Sequence, residues 1–138
     1  MVLTDTGYFY ALADKDDQEH HRAVELYKKY STSLATTWPV ITETCHLLLN
    51  RLGPGKQEAF INGLSQISIY DIDKNSLSRI EVLMQKYRGL PMDLADASLV
   101  VMAEVKNNGN ILSVDYRDFG VYRWKNQKPF CNLMIEAQ

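Results

Sequence analysis

Hydrophobic positions along the chain switch between two repeat lengths, and the switching predicts short strands separated by longer helices. Val2-Leu3-Thr4 is a short apolar run that stops at Asp5 and reads as a first strand. Thr6-Gly7 turns the chain into residues 8–13, and Asp16-Asp17 then supplies the acids that suit the positive end of a helix. That helix is expected to run to about Tyr30, with Ala23, Val24, Leu26 and Tyr27 as core positions. Residues 34–37 form a second short strand, broken at Trp38-Pro39, where proline opens another helix. Ile41, Cys45, Leu48, Leu49 and Leu52 give this helix an apolar face, and Gly53-Pro54-Gly55 stops it. A short helix over about 56–64 is followed by a third strand at Ile67-Ser68-Ile69-Tyr70.

The second half repeats the alternation. Asp73 starts a helix that carries Leu77, Ile80, Leu83, Met84 and Tyr87 and ends at Gly89 and Pro91. Asp93 is an N-cap for the next helix, with Asp96 near its third position and Leu99, Val100, Met102, Ala103 and Val105 along it. Asn108-Gly109-Asn110 has the signature of a left-handed helix cap. Ile111-Leu112-Ser113-Val114 is a fourth strand ending at Asp115, and residues 130–135 read as a fifth.

Strands alternating with helices at this spacing predict an α/β fold, a three-layer α/β/α sandwich around a mostly parallel sheet. The 138 residues fit one domain over 1–138, long enough to bury a core without disulfides. In such folds the ligand crevice lies beyond the carboxyl ends of the strands.

Composition narrows the chemistry. The two cysteines, Cys45 and Cys131, lie far apart and form neither a disulfide framework nor a zinc knuckle, so a cytoplasmic setting is expected. Cys45 reads as a small buried hydrophobe. No run is long and apolar enough to span a membrane, and the opening residues lack the pattern of a signal peptide. The net charge of −2 does not advertise nucleic-acid binding. One local basic strip, Arg117, Arg123, Lys125 and Lys128 against Asp118, suits either phosphate contact or a solvated loop.

The acids fall in a more telling pattern. Two predicted strands end in aspartate, Asp5 and Asp115, which places both carboxylates at the crevice. Glu43 lies early in the helix after the second strand and approaches the same edge. Asp93 and Asp96 share one helical face, and Asp118 follows Asp115 by one helical turn. Singly, each aspartate has a harmless reading as a cap or a dipole partner, and Glu43 as an exposed helix residue. Together, carboxylates crowded on one rim raise each other's pKa values, and a cation among them relieves the repulsion. Oxygen-only ligands suit Mg²⁺ or Mn²⁺. No histidine or cysteine is expected at the rim. His20 and His21 read as solvated, and His46 as a partly buried structural residue.

These residues fall into motifs that resemble those of the PIN-domain nucleases, and within them the VapC-type toxins of toxin–antitoxin pairs. Leu3-Thr4-Asp5-Thr6-Gly7 is similar to the opening strand motif of that family. Ala11-Leu12-Ala13-Asp14 and Asp17 with His20 resemble the stretch after it, and Glu43 after Pro39-Val40-Ile41-Thr42 sits where the family has its glutamate. Pro91-Met92-Asp93-Leu94-Ala95-Asp96-Ala97 resembles the motif with the third acid. Ser113-Val114-Asp115-Tyr116-Arg117-Asp118-Phe119 resembles the closing motif. Each motif is weak alone, but the four occur in order along nearly the whole chain.

The resemblance implies a metal-dependent endoribonuclease, the toxin of a toxin–antitoxin pair, with Asp5, Glu43, Asp96 and Asp115 holding Mg²⁺ or Mn²⁺. Thr6 is a supporting hydrogen-bonding residue in this reading, and Asp93 and Asp118 are secondary candidates. Arg117, Arg123 and Lys125 are candidate RNA contacts, and Trp38, Tyr116 and Phe119 suit either base stacking or packing. The implied partners are RNA, a small antitoxin protein and a second copy of the chain. The apolar residues Tyr8, Phe9, Tyr10 and Leu12 are either an interface or core. The alternative is a PIN-like scaffold that binds RNA or protein without cleaving. A phosphotransfer receiver or a dehalogenase-type phosphatase fits less well. Asp5-Thr6-Gly7 supplies neither paired acids nor Asp-x-Asp after the first strand, and no lysine follows the fourth.

Overall fold

The structure is a computed structural model and describes residues 1–136. Five strands form a wholly parallel sheet: β1 (Val2–Thr4), β2 (Leu34–Thr37), β3 (Ser68–Tyr70), β4 (Asn110–Leu112) and β7 (Cys131–Asn132). Between them run α1 (Thr6–Ala13), α2 (His20–Tyr30), α3 (Trp38–Leu52), α4 (Pro54–Gly63), α5 (Leu77–Lys86), α6 (Leu94–Lys106) and α7 (Tyr116–Val121). A small antiparallel hairpin of β5 (Arg123–Trp124) and β6 (Lys128–Pro129) precedes β7, and α8 (Leu133–Glu136) follows it. The arrangement is the expected α/β/α sandwich.

Strand order is β3-β2-β1-β4-β7. The chain moves outward from β1 through β2 to β3, then returns to the other side of β1 with β4. The order therefore reverses between β1 and β4, and this switch point is where such sheets leave a crevice at their carboxyl ends. Every residue of β1 and β2 is buried, as expected for parallel strands covered on both faces. The α6 helix is buried continuously from Ala97 to Ala103, a helix apolar all round because it lies inside the fold. Tyr8, Phe9 and Tyr10 are buried, which places this part of the early apolar patch in the core.

Several boundaries differ from the sequence reading, each for a local reason. The α2 helix begins at His20 instead of Asp16, because Asp14 and Asp17 turn the chain first. Their carboxylates accept the backbone N–H groups of Asp16 (3.0 Å) and Glu19 (2.8 Å). Asp73 caps a short 3-10 turn (Lys74–Ser76) ahead of α5. The left-handed cap of α6 is Asn107 (φ 53°). The expected strand over 130–135 pairs only at Cys131–Asn132 and then turns into α8. The Asn132 side chain accepts the Met134 N–H (3.1 Å) and ends the extended run. The β5–β6 hairpin was not foreseen, and it turns on Lys125 and Asn126, both at positive φ. Among the described residues, no helix is long and apolar enough to cross a membrane.

Candidate metal centre

Three helices begin at the switch point, and each begins with an aspartate. Asp5, directly after β1, caps α1 by accepting the Tyr8 N–H (2.9 Å). Asp93 caps α6 by accepting the Asp96 N–H (2.8 Å), and Asp115 caps α7 by accepting the Asp118 N–H (3.0 Å). The two later caps share one pattern, Asp-x-x-Asp, which puts a second carboxylate in the first turn of each helix. Glu43 comes from the second turn of α3, whose start is fixed by the Thr37 cap and Pro39. The outcome is a cleft of about 250 Å³ lined by Asp5, Glu43, Asp93, Asp96, Asp115 and Asp118, with Thr6, Gly7, Leu47 and Pro91.

Within the cleft, one carboxylate oxygen from each of Asp96, Asp115 and Asp118 lies within 4.8 Å of the other two. Asp118, a secondary candidate from sequence, thus joins two of the four principal acids. Asp5 and Glu43 line the same cleft without belonging to this group. Asp93 is exposed, and one of its oxygens is held by the cap.

The acids are not comfortable as anions. Burial pushes the Asp5 carboxyl up to about 7, and nearby Asp115 and Glu43 push the same way, against the stabilising bonds from Ser113 and the Tyr8 N–H. Burial and then Asp93 push Asp96 up to about 8. Burial also raises Glu43 and Asp115. The Thr6 hydroxyl sits beside Glu43 and favours its charged form, but it falls short of a formed hydrogen bond, leaving a buried oxygen without a partner. Among the described residues, no lysine or arginine lines the cleft. A donor set made of hard, desolvated oxygens, with Arg117 paired to Asp118 from outside the lining, fits Mg²⁺ or Mn²⁺ and does not suit zinc.

Two residues of this site were not singled out from sequence. Ser113 donates to the second Asp5 oxygen (2.5 Å) and accepts the Asp115 N–H (2.9 Å), so one hydroxyl joins the ends of β1 and β4. It stands two residues before Asp115 in the closing motif, the only signal that pointed to it. Tyr122 donates to Asp96 (2.8 Å), and nothing in the sequence marked it. Gly7 also matters locally. A Cβ there would meet Val114 Cγ2 at 2.5 Å, so α1 and the segment after β4 approach as closely as they do only without a side chain.

The basic candidates lie outside the cleft lining. Arg117 is largely exposed and bonds Asp118 (3.0 Å) and the Leu90 carbonyl (3.1 Å). Arg123 donates to the carbonyls of Gly120, Val121 and Tyr122 at the end of α7. Lys125, on the hairpin, donates to the side chain of Asn107 (2.8 Å) at the end of α6. A larger, mostly apolar groove of about 800 Å³ adjoins the cleft, with Glu43 common to both. It holds Trp38, half-exposed with its indole N–H on Asp71 (2.7 Å), and His46, which is exposed instead of partly buried. The acidic cleft, though smaller, carries the groups with chemistry. Tyr116 bonds Glu19 (3.2 Å), and Phe119 is buried against Tyr122 and Phe130, a packing role. Cys45 is half-buried.

A family model described as "PIN domain" matches residues 2–124. Among solved structures, the chain is similar to Mycobacterium tuberculosis VapC20, described as a Sarcin-Ricin loop cleaving toxin. The TM-score is 0.78 and the identity 18%, over 85% of this chain and 92% of that one. At that identity the likeness establishes the fold. No curated protein matches the chain in sequence.

Proposed function

This chain belongs to the PIN-domain family, and from that premise we propose that it is a Mg²⁺- or Mn²⁺-dependent endoribonuclease, the toxin of a toxin–antitoxin pair. Its substrate is RNA, and a small antitoxin protein holds it in check. It acts as a single domain in the cytoplasm and as a homodimer. The observation that carries the reading is the grouping of Asp96, Asp115 and Asp118 in a cleft that Asp5 and Glu43 complete, with Arg117 pairing to Asp118 from outside the lining.

In this reading Asp96, Asp115 and Asp118 hold the ion, with Asp5 beside them. When bound, the ion supplies Lewis-acid stabilisation of charge on the phosphoryl oxygens and makes water more acidic. Asp5 has one oxygen committed to the α1 cap and the other to Ser113, so it contributes fixed charge and positions the β1–β4 junction. Glu43 is the acid best suited to take a proton. Burial raises its pKa, and no backbone cap claims its oxygens. A Glu43 oxygen receives the proton of the water that attacks the scissile phosphorus. The new P–O bond forms as the bond to the leaving ribose oxygen breaks, and that oxygen takes a proton from solvent. Arg117, next to Asp118, is the best placed of the basic candidates to meet a flanking phosphate.

Incubation of labelled total RNA with purified protein tests the proposal, with Mn²⁺, with Mg²⁺ and with EDTA, beside Asp5→Asn. Cutting that needs metal and disappears in the folded variant is expected, and the fragment ends identify the target. A folded protein that binds Mn²⁺ and RNA but never cuts would favour the scaffold reading.

A further inference from the structure

Tyr122 is completely buried, and its hydroxyl is aimed at the acidic cleft. It lies at the end of α7, the helix that begins with Asp115 and Asp118, and reaches back to α6 to donate to Asp96 Oδ2 at 2.8 Å. The ring has no freedom to leave. Tyr87 and Phe119 meet it edge-on, each with ring centroids 5.0 Å away, at interplanar angles of 71° and 89°. The backbone around it is pinned as well. Arg123 Nη1 donates to the Tyr122 carbonyl (2.9 Å), and the Arg123 N–H donates to the Tyr87 hydroxyl (2.9 Å).

A buried tyrosine hydroxyl needs an acceptor, and a backbone carbonyl would serve. Tyr8 shows that ordinary solution in the same protein, donating to the Ala23 carbonyl at 2.7 Å. Tyr122 instead takes one oxygen of an acid in the Asp96, Asp115 and Asp118 group. That leaves the other Asp96 oxygen as the one free to face an ion, and it fixes the carboxylate rotation. Hydrogen bonds of this kind orient ligands, and their loss weakens metal affinity by roughly 10–100-fold.

We infer that Tyr122 is a positioning residue for the metal centre, holding the Asp96 carboxylate in the orientation that binds a divalent cation. The inference rests on the metal-site reading above and names the residue that sets its geometry. The α7 helix then serves the site from both ends, with two acids at its start and a clamp on a third acid at its finish.

The test is calorimetric titration of MnCl₂ into EDTA-stripped protein, for the wild type, Tyr122→Phe and Tyr8→Phe. Both substitutions keep a buried ring and remove one hydroxyl, but only the Tyr122 hydroxyl touches an acid of the cleft, while that of Tyr8 meets the Ala23 carbonyl. Tyr122→Phe is expected to weaken Mn²⁺ binding about tenfold. The Mn²⁺ concentration for half-maximal RNA cleavage should rise by the same factor, with KM for RNA unchanged at saturating Mn²⁺. Tyr8→Phe is expected to lower the melting temperature and leave Mn²⁺ affinity as it was. Equal affinity in the wild type and Tyr122→Phe would overturn the inference, as would an equal loss in both variants. A wild type that binds no Mn²⁺ would instead remove the metal site itself.

Discussion

Helix α6 carries two acids that face opposite treatment. Near its C-terminal end, Glu104 receives a two-point bond from Arg79 (2.9 and 2.7 Å) and the backbone N–H of Lys125 (2.7 Å). Near its start, Asp96 is half-buried among Asp5, Asp93 and Asp115, with one tyrosine hydroxyl and no cation beside it. The Arg79 pair ties α5 to α6, and a further bond from Arg79 to Asn126 (2.9 Å) fastens the hairpin. Glu104 is compensated by an arginine and Asp96 is not, and the proposed metal reading rests on that difference. The distinction between the two ends is charge compensation, not burial.

The comparison is sharpest in a pair of neutralising substitutions. Asp96→Asn should lower RNA cleavage about 100- to 1,000-fold, as expected for loss of a group that serves the stabilisation of developing charge, and leave the melting temperature unchanged or raised. Glu104→Gln should do the reverse. It should cost about 1–3 kcal/mol, the worth of hydrogen bonds to a charged group, with cleavage per folded molecule intact. Denaturant unfolding and a cleavage assay on both proteins decide it. Activity lost equally in both would erase the contrast.

A steric change comes next in size. Gly7→Ala places a methyl group against Val114 at the turn that carries Asp5. Overpacking of this kind typically costs about 1–3 kcal/mol, and part is returned by the better helix propensity of alanine, about 1 kcal/mol. A net loss in denaturant midpoint is expected, with reduced cleavage, and an unchanged midpoint would show that the two segments yield easily.

The last effect is a pH slope. In metal-free protein the Asp5 carboxyl lies at about 7 and Asp96 at about 8, against an ordinary 3.8 for both. Between those values the folded chain binds more protons than the unfolded chain. Stability is therefore greatest on the acid side of that window and declines as pH rises through 7 to 8. Thermal melts in EDTA at pH 5.5 and 8 should show the decline, and Asp96→Asn should flatten it. Mn²⁺ should stabilise more at pH 8 than at pH 5.5, because protons compete with it for the same oxygens. A metal-free protein that grows more stable toward pH 8 would contradict the burial of these acids.

How much of this could be read from sequence followed physical lines. Asp5 and Asp115 were legible because short apolar runs end on them, and parallel sheets place ligands at such ends. Asp93 and Asp96 were legible from capping and helical spacing. Asp118 was legible only as secondary, since its weight depends on how α7 turns toward α6. Tyr122 was invisible, because it meets Asp96 across 26 positions and through a turn that no local pattern announces. The basic strip was legible only as composition. Arg123 reads as a phosphate contact by composition, yet its guanidinium closes the end of α7. The hairpin was missed because Lys125 and Asn126 lack the glycine that normally marks such a turn.

The most direct measurement is a crystal structure of the protein grown with MnCl₂, with anomalous scattering recorded to locate manganese. An anomalous peak among Asp96, Asp115 and Asp118, with carboxylate oxygens at roughly 2.2 Å as hard cations require, is the predicted result. Fully occupied manganese elsewhere and none in this cleft, in crystals grown at neutral pH or above, would contradict the assignment.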